Sequence, residues 1–214
     1  KKTILYILLI LLSVVCMFPF LLMIVNATRS GSEIMKSFTL IPSVYLKENW
    51  ATVFKYFNLF LGMWNSLKVA VPSTLLCAYF SAMTAYALAM YKFKGNKVLF
   101  MTILIFMMIP GQLGLIGFYN LCTKLHLVNS YIPLIIPAIA SPGTVFFLRQ
   151  YVLSVMPPSL IEAARIDGAG PLTVLLKVYL PISLPALATV GLFAIVNHWN
   201  DYFSGLIYMS KASM

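Results

Sequence analysis

The 214-residue chain is 61% hydrophobic and only 9% charged, with a mean hydropathy of +0.93. That excludes a soluble domain with a polar surface and predicts an all-α, polytopic membrane protein. The net charge of +10 is carried by Lys and Arg placed singly or in small clusters beside apolar runs, a pattern that fits lipid headgroups better than nucleic acid. Cys16, Cys77 and Cys122 are odd in number and have no CxxC spacing. They are read as small buried hydrophobes, with neither a disulfide framework nor a metal site expected.

Apolar runs near the ~20 residues needed to cross a bilayer predict five spans, at about 4–26, 66–91, 98–119, 130–148 and 182–208. The first follows Lys1-Lys2 and has Val25-Asn26-Ala27 as a weak cleavage site. It is longer than the ~7–15 apolar residues of a signal peptide, so a retained span is expected. Residues 26–65 are too polar to span and are expected to fold against the outer surface, with Trp50, Phe54, Tyr56, Phe57 and Trp64 as an interfacial belt. In the second span Ser73, Ala78, Ser81, Ala82, Ala85 and Ala89 recur at spacings of three and four, which predicts close helix–helix contact.

The third and fourth spans are interrupted by Pro110-Gly111, Gly114, Gly117, Pro133, Pro137 and Pro142-Gly143. Each proline frees a carbonyl that a neighbour or cavity water must satisfy, so broken helices mark a possible pathway as well as simple kinks. Orientation follows from the short loops. Lys1, Lys2, Lys92, Lys94, Lys97, Arg149, Arg165 and Lys177 fall on one side, assigned to the cytoplasm together with the N-terminus.

Chemistry of other kinds lacks its residues. No Gly-Lys dipeptide occurs, so a P-loop is excluded. Of five acids only Asp201 falls within a span, which argues against an ion-coupled transporter. Gly111, Gly114 and Gly117 lie in a membrane run without a flanking strand, so their spacing is no dinucleotide fingerprint. A membrane-embedded enzyme remains a distant alternative. His198 beside Asn197, Asn200 and Asp201 is the one candidate base, and no nucleophile accompanies it.

Between the fourth and fifth spans lies EAARIDGAGPLTVLLKVYLP, residues 162–181. Ser159-Leu-Ile-Glu162 fits a capping box and predicts a helix starting at Ser159. Gly168 is suited to close it in a left-handed conformation, and Pro171 to begin a second helix after Gly170. Leu160, Ala163, Ala164 and Asp167 share one side of the first helix, leaving its backbone open to a partner. An amphipathic loop lying at the membrane interface is the alternative for the same residues.

Glu162-Ala163-Ala164, three residues, Gly168, nine residues, Val178, one residue and Leu180-Pro181 resemble the EAA loop of binding-protein-dependent ABC importer permeases, with Val178 where Ile is usual. Residues 109–151 and the HWNDYF stretch extend the resemblance to the carbohydrate-uptake branch, in particular the second permease of maltose-type systems. The resemblance implies a type I ABC importer permease-like helical bundle, one transmembrane domain over 1–214 with an outer segment at about 27–65 and a cytoplasmic coupling loop at about 149–181. Six spans are usual in the family, so a sixth is expected to be missing at the C-terminus. Glu162, Ala163, Ala164, Asp167, Gly168, Ala169 and Gly170 would contact a separate ATPase dimer, which would bind ATP and Mg. The chain itself would hold no cofactor and be no enzyme. Its partners would be a second permease, the ATPase subunits and an extracytoplasmic solute-binding protein, in a bacterial or archaeal cytoplasmic membrane. The implied function is import of a carbohydrate, with another polar solute such as a glycerol phosphate ester as the alternative.

The polar island Asn197–Asp201 either lies near the middle of a long last helix or marks its outer end. Asn197, Asn200 and Asp201 stand at i, i+3 and i+4, hence on one face. Amides and carboxylates suit sugar hydroxyls, and Trp199 suits an apolar sugar face; the same groups could equally join two helices. By the resemblance, the Pro-Gly break and the fourth span add Gln112 and Ser141 to the substrate-lining set.

Overall fold

The computed structural model describes residues 2–209, and all regular structure among them is helical. Lys1 of the cation asymmetry and residues 210–214, on which the expected missing span bears, lie outside the described residues. The chain divides into two compact units, one through Gly62 and one from Met63 onward.

The first unit holds α1 (Lys2–Ala27), α2 (Gly31–Lys36) and α3 (Leu46–Tyr56). α1 is long and apolar enough to cross a membrane and buries none of its residues, as a helix facing lipid requires. Cys16, on this helix, is exposed, contrary to the expectation of a buried thiol. The polar stretch after it is organised by Arg29, which is 4% exposed. Its guanidinium donates to the Glu33 carbonyl at 2.7 Å, the Ser37 carbonyl at 2.8 Å and Asn26 Oδ1 at 3.2 Å. A capping box does form in this chain, at Ser30 and Glu33 on α2. Trp50 and Phe54 approach to 5.1 Å between ring centroids, and both are exposed.

α4 (Leu59–Met90) continues into the second unit as a 32-residue helix. Its buried side is Ala70, Ser73, Cys77, Ser81, Ala85 and Leu88, a stripe at spacings of three and four. The small-residue expectation therefore holds, with Ala78 and Ala89 at the half-buried margin. Two of the stripe's polar groups reach other elements: Ser73 Oγ donates to the Leu134 carbonyl at 3.5 Å, and Cys77 Sγ lies 3.6 Å from Thr144 Oγ1.

The third predicted span is broken. α5 (Asn96–Met108) and the segment Gly111–Lys124, a 3₁₀ turn over Gly111–Gly114 followed by α6 (Leu115–Lys124), meet at 90°. Pro110 supplies the break, since it has no N–H to continue the ladder and holds the preceding residue in an extended conformation; Ile109 has ψ 121°. The fourth span runs further than predicted, over Ile132–Val155. It consists of α7 (Ile132–Ile135), a 3₁₀ turn over Ile136–Ile139 and α8 (Pro142–Val155), with Pro137 and Pro142 at the joints.

After α9 (Pro158–Ile166), the last long span is a 29-residue helix over Pro171–Trp199. It comprises α10 (Pro171–Val174), a π turn over Leu175–Tyr179 and α11 (Leu180–Trp199). The predicted fifth span is therefore displaced toward the N-terminus, because the second arm of the elbow is the first part of the span itself. Pro181 accounts for the π turn. It cannot donate to the Lys177 carbonyl and would crowd it, and the chain widens so that the Leu180 N–H donates to the Leu175 carbonyl. α12 (Tyr202–Tyr208) is a separate short helix. Among the described residues four helices are long and apolar enough to span, or five spans if the bent pair counts as one, in agreement with five predicted.

Candidate functional site

Two places in the second unit gather the predicted site residues. The first is the elbow. α9 starts at Pro158, with Pro157 as an N-cap that offers no side-chain hydrogen bond. The expected capping box at Ser159 and Glu162 is thus absent: proline at the first helical position loses no bond there and sets the helical φ unaided. The other end follows the sequence closely. Gly168 has φ +82°, its N–H donates to the Arg165 carbonyl at 3.0 Å, and the Ala169 N–H donates to the Ala164 carbonyl at 2.9 Å. Those two bonds make a Schellman closure, which needs a left-handed residue. Gly170 then caps α10, with Pro171 at its first position.

The elbow rests on a buried apolar cluster. Ile161, Val174, Leu175 and Tyr179 pack with Ala82, Ala85 and Tyr86 of α4, Leu148 and Val152 of α8 and Ala186 of α11. The Tyr86 and Tyr179 rings are 4.9 Å apart, and the Arg165 guanidinium lies 5.0 Å from the Tyr91 ring. Facing away from this cluster are Glu162, Ala163, Asp167, Gly168 and Gly170, all exposed. Ala164 and Ala169 differ from the rest of the predicted contact set, since both are half-buried against the core. Ile166 and Leu172, 86% and 63% exposed, are apolar side chains on the open face that sequence reasoning passed over. Their lack of any place in the elbow's buried register, set by Ile161, Val174 and Leu175, was the available signal.

The second place is a cavity of 710 Å³ among α4, α6, α7, α8, α11 and α12. Its walls include the proline-broken fourth span through Pro133, Pro137, Ala140 and Gly143, and the aromatic rings of Phe118, Phe147, Phe193 and Tyr208. Ser141, Asn197 and Asp201 of the predicted set line it together. Gln112 sits in the 3₁₀ turn after Pro110 and Asn200 is the C-cap of α11; neither lines the cavity, nor does Trp199. The island thus marks a helix end. α11 stops at Trp199, and Asp201 caps α12 by accepting the Ser204 N–H at 3.1 Å. This break takes Asn200 off the face that an unbroken helix would give it. Thr144, Thr189, His198 and Ser204 also line the cavity. Ser141 Oγ and Thr144 Oγ1 are 2.7 Å apart, and Thr189 spends its hydroxyl proton on the Pro185 carbonyl at 2.9 Å. Among the described lining residues Asp201 is the only acid and there is no Lys or Arg.

A helical bundle with apolar spans, a roomy, mostly apolar cavity carrying a few polar groups and an exposed elbow fits a membrane transport subunit. Residues 75–213 match the model of the binding-protein-dependent transport system inner membrane component family, and the chain belongs to that family. It is 36% identical over 204 residues to the arabinooligosaccharides transport system permease protein AraQ of Halalkalibacterium halodurans, covering 94% of this chain and 73% of that one. It is 32% identical over 197 residues to the diacetylchitobiose uptake system permease protein NgcG of Streptomyces coelicolor, covering 91% and 65%. The fold superposes with a TM-score of 0.81 and 25% identity on a chain from the crystal structure of a bacterial ABC transporter involved in the import of the acidic polysaccharide alginate, covering 98% and 74%. Membership makes this a multi-pass membrane transport subunit, with a solute-binding protein and an ATPase as the partners the family implies.

Proposed function

We propose that this chain is one transmembrane half of an ATP-driven carbohydrate importer. The observation that carries the reading is that the elbow and the cavity occupy the two ends of a single helix, Pro171–Trp199. At about 1.5 Å per residue, a push on α9 and α10 is delivered some 40 Å away at Asn197 and His198. The ATPase dimer, binding ATP and Mg, would seat on Glu162, Ala163, Asp167, Gly168 and Gly170, with Ile166 and Leu172 as apolar anchors. Ala164 and Ala169 would hold that surface on the core. A second permease would complete the pathway and an external binding protein would load it. The N-terminus would lie in the cytoplasm of a bacterial or archaeal cell, with the chain itself carrying no ATPase site and no cofactor.

Carbohydrate is favoured over a phosphate ester by the cavity's chemistry. Hydroxyls and an amide at Ser141, Thr144, Asn197 and Ser204 suit neutral hydroxyl pairs, and aromatic rings suit the apolar faces of a sugar. A phosphate would meet the Asp201 carboxylate with no cation among the described lining residues. The named relatives that transport arabinooligosaccharides and diacetylchitobiose support the same choice. The test is uptake into proteoliposomes holding the assembled importer and its binding protein. Neutral oligosaccharide should accumulate only with internal-facing ATP, and glycerol 3-phosphate should not. Uptake that persists without the ATPase subunit would defeat the reading.

A further inference from the structure

A second depression, of 660 Å³, lies where α4 turns into α5. It is lined by Lys92, Lys94, Lys97 and Arg149, and no acid is among its described lining residues. Its frame is fixed: the Asn96 side-chain amide donates to the Leu88 carbonyl at 3.1 Å and the Tyr91 carbonyl at 2.8 Å, tying the turn to the end of α4. Gly95, at φ +93°, starts α5 without any side-chain cap. The Asn96 N–H already donates to the Phe93 carbonyl at 3.2 Å, so it is the four cations, with no acid beside them among the described lining residues, that favour an anion. Arg149 is held in place by its guanidinium lying 3.9 Å from the Phe100 ring centroid, and its buried Nε has no hydrogen-bond partner.

An apolar track leads away from this depression. Val98 lines it and is 68% exposed; Met101, Ile105 and Met108 follow on the same face of α5 at 50%, 56% and 83% exposure. The track runs about 15 Å at the helical rise, which suits an acyl chain. We propose that the depression binds the phosphate of an anionic phospholipid, with the acyl chain lying along Val98, Met101, Ile105 and Met108. A soluble phosphate would use the cations and leave the apolar track empty, so the shared chemistry is the phosphate and the track argues for its lipid source. The site is separate from the sugar cavity and stands whether or not carbohydrate is the cargo.

The experiment is native mass spectrometry of the assembled importer from mixed micelles of equal phosphatidylglycerol and phosphatidylcholine. Wild type should retain phosphatidylglycerol in preference to phosphatidylcholine, and inorganic phosphate should not displace it. Lys94→Gln should lower retention about fivefold, and Lys94→Gln/Lys97→Gln by about that factor again. Lys94→Arg and Lys124→Gln, the latter outside the depression, should retain lipid as wild type does. Equal retention of both lipids by wild type, which needs no variant, would overturn the proposal, as would unchanged retention in the double variant. Displacement by inorganic phosphate would make it a soluble-anion site. Loss of the ATPase from the double variant with lipid retention intact would make the cations a protein contact instead.

Discussion

The elbow end and the cavity end of the helix Pro171–Trp199 are built in opposite ways. At the elbow, Tyr179, Val174 and Leu175 are 0%, 1% and 4% exposed and interlock with α4 and α8. At the cavity, the facing wall includes Pro133, Pro137, Ala138, Ala140 and Gly143 on broken helix, beside the larger Leu134 and Phe147. Close-packed interiors resist deformation and transmit displacement, whereas broken helices beside a cavity can shift without losing packing. Val190 belongs to both the core cluster and the cavity wall, so movement of the packed end has a direct route to the open one. One end is suited to receive force and the other to change shape.

The largest effect is expected at the elbow's closing residue. Gly168→Val places a β-branched side chain at φ +82°. No atom within 4 Å would obstruct the new Cβ, so the penalty is conformational, about 1–2 kcal/mol or more. It would open the Schellman closure and redirect α10. Transport and substrate-stimulated ATP hydrolysis by the assembled importer should fall at least tenfold, while the binding protein's own affinity for sugar stays constant. Gly170→Ser is the control for the backbone: Gly170 has φ −70° and serine is a favoured N-cap, so the complex should keep its thermal midpoint, which Gly168→Val should lower. Equal loss in both variants would mean that the turn tolerates no side chain at all, and the left-handed argument would fail.

Tyr179→Ala attacks the packed end directly. In a bilayer the transfer of apolar surface contributes little to association between helices, so the void itself dominates. At about 24 cal/mol per Å³, a void of roughly 100 Å³ destabilises by ~2 kcal/mol. The thermal midpoint of the purified complex should drop by several degrees, and ATPase copurification should weaken with it. Phe193→Ala, on the cavity side and 69% exposed, should leave the midpoint unchanged and alter transport alone. That contrast fails if both substitutions lower the midpoint equally.

How much of this could be read from the sequence depends on whether local rules governed the residue. Gly168 and Pro171 were legible because backbone conformation fixes their places without reference to neighbours. The buried stripe of α4 was legible because its spacing follows one helix. Ser159 misled because a capping box competes with proline, and Pro157-Pro158 had already set the helix start. The break at Pro110 was visible, its 90° bend was not, since the angle depends on what packs on either side. Asn200 shared a helical spacing with Asn197 and Asp201, and Gln112 was implied by the resemblance at the Pro-Gly break, yet a helix end and a turn carry them elsewhere. Arg149 joins the local cluster of Lys92, Lys94 and Lys97 at one depression only through tertiary packing, and the exposure of Ile166 and Leu172 is set by the same packing.

Within the polar island the comparison narrows to single residues. Asn197 lines the cavity and Asn200 does not. If sugar is held by the cavity's polar groups, Asn197→Ala removes a hydrogen-bonding amide worth about 0.5–1.5 kcal/mol. The concentration for half-maximal uptake should then rise about two- to tenfold, whereas Asn200→Ala should change it less than twofold. The reverse order would place substrate on the Asn200 side of the helix end.

Asp201 gives the smallest and most discriminating effect, because it has two separable jobs. Its carboxylate caps α12 by accepting the Ser204 N–H, and it is also the only acid among the described residues of the cavity wall. Asparagine caps a helix about as well as aspartate, while alanine forfeits about 0.5–2 kcal/mol. Asp201→Asn therefore removes the charge and keeps the cap; Asp201→Ala removes both. If the cap is what matters, Asp201→Asn should match wild type in thermal midpoint and in half-saturation, with Asp201→Ala lowered in midpoint and raised in half-saturation concentration. If the charge also orders a sugar hydroxyl, Asp201→Asn should keep the wild-type midpoint but shift half-saturation severalfold, since hydrogen bonds to a charged acceptor exceed neutral ones by about a factor of two in strength. A midpoint that falls in Asp201→Asn would show that neither reading is adequate and that the carboxylate is anchored by a contact other than the Ser204 N–H.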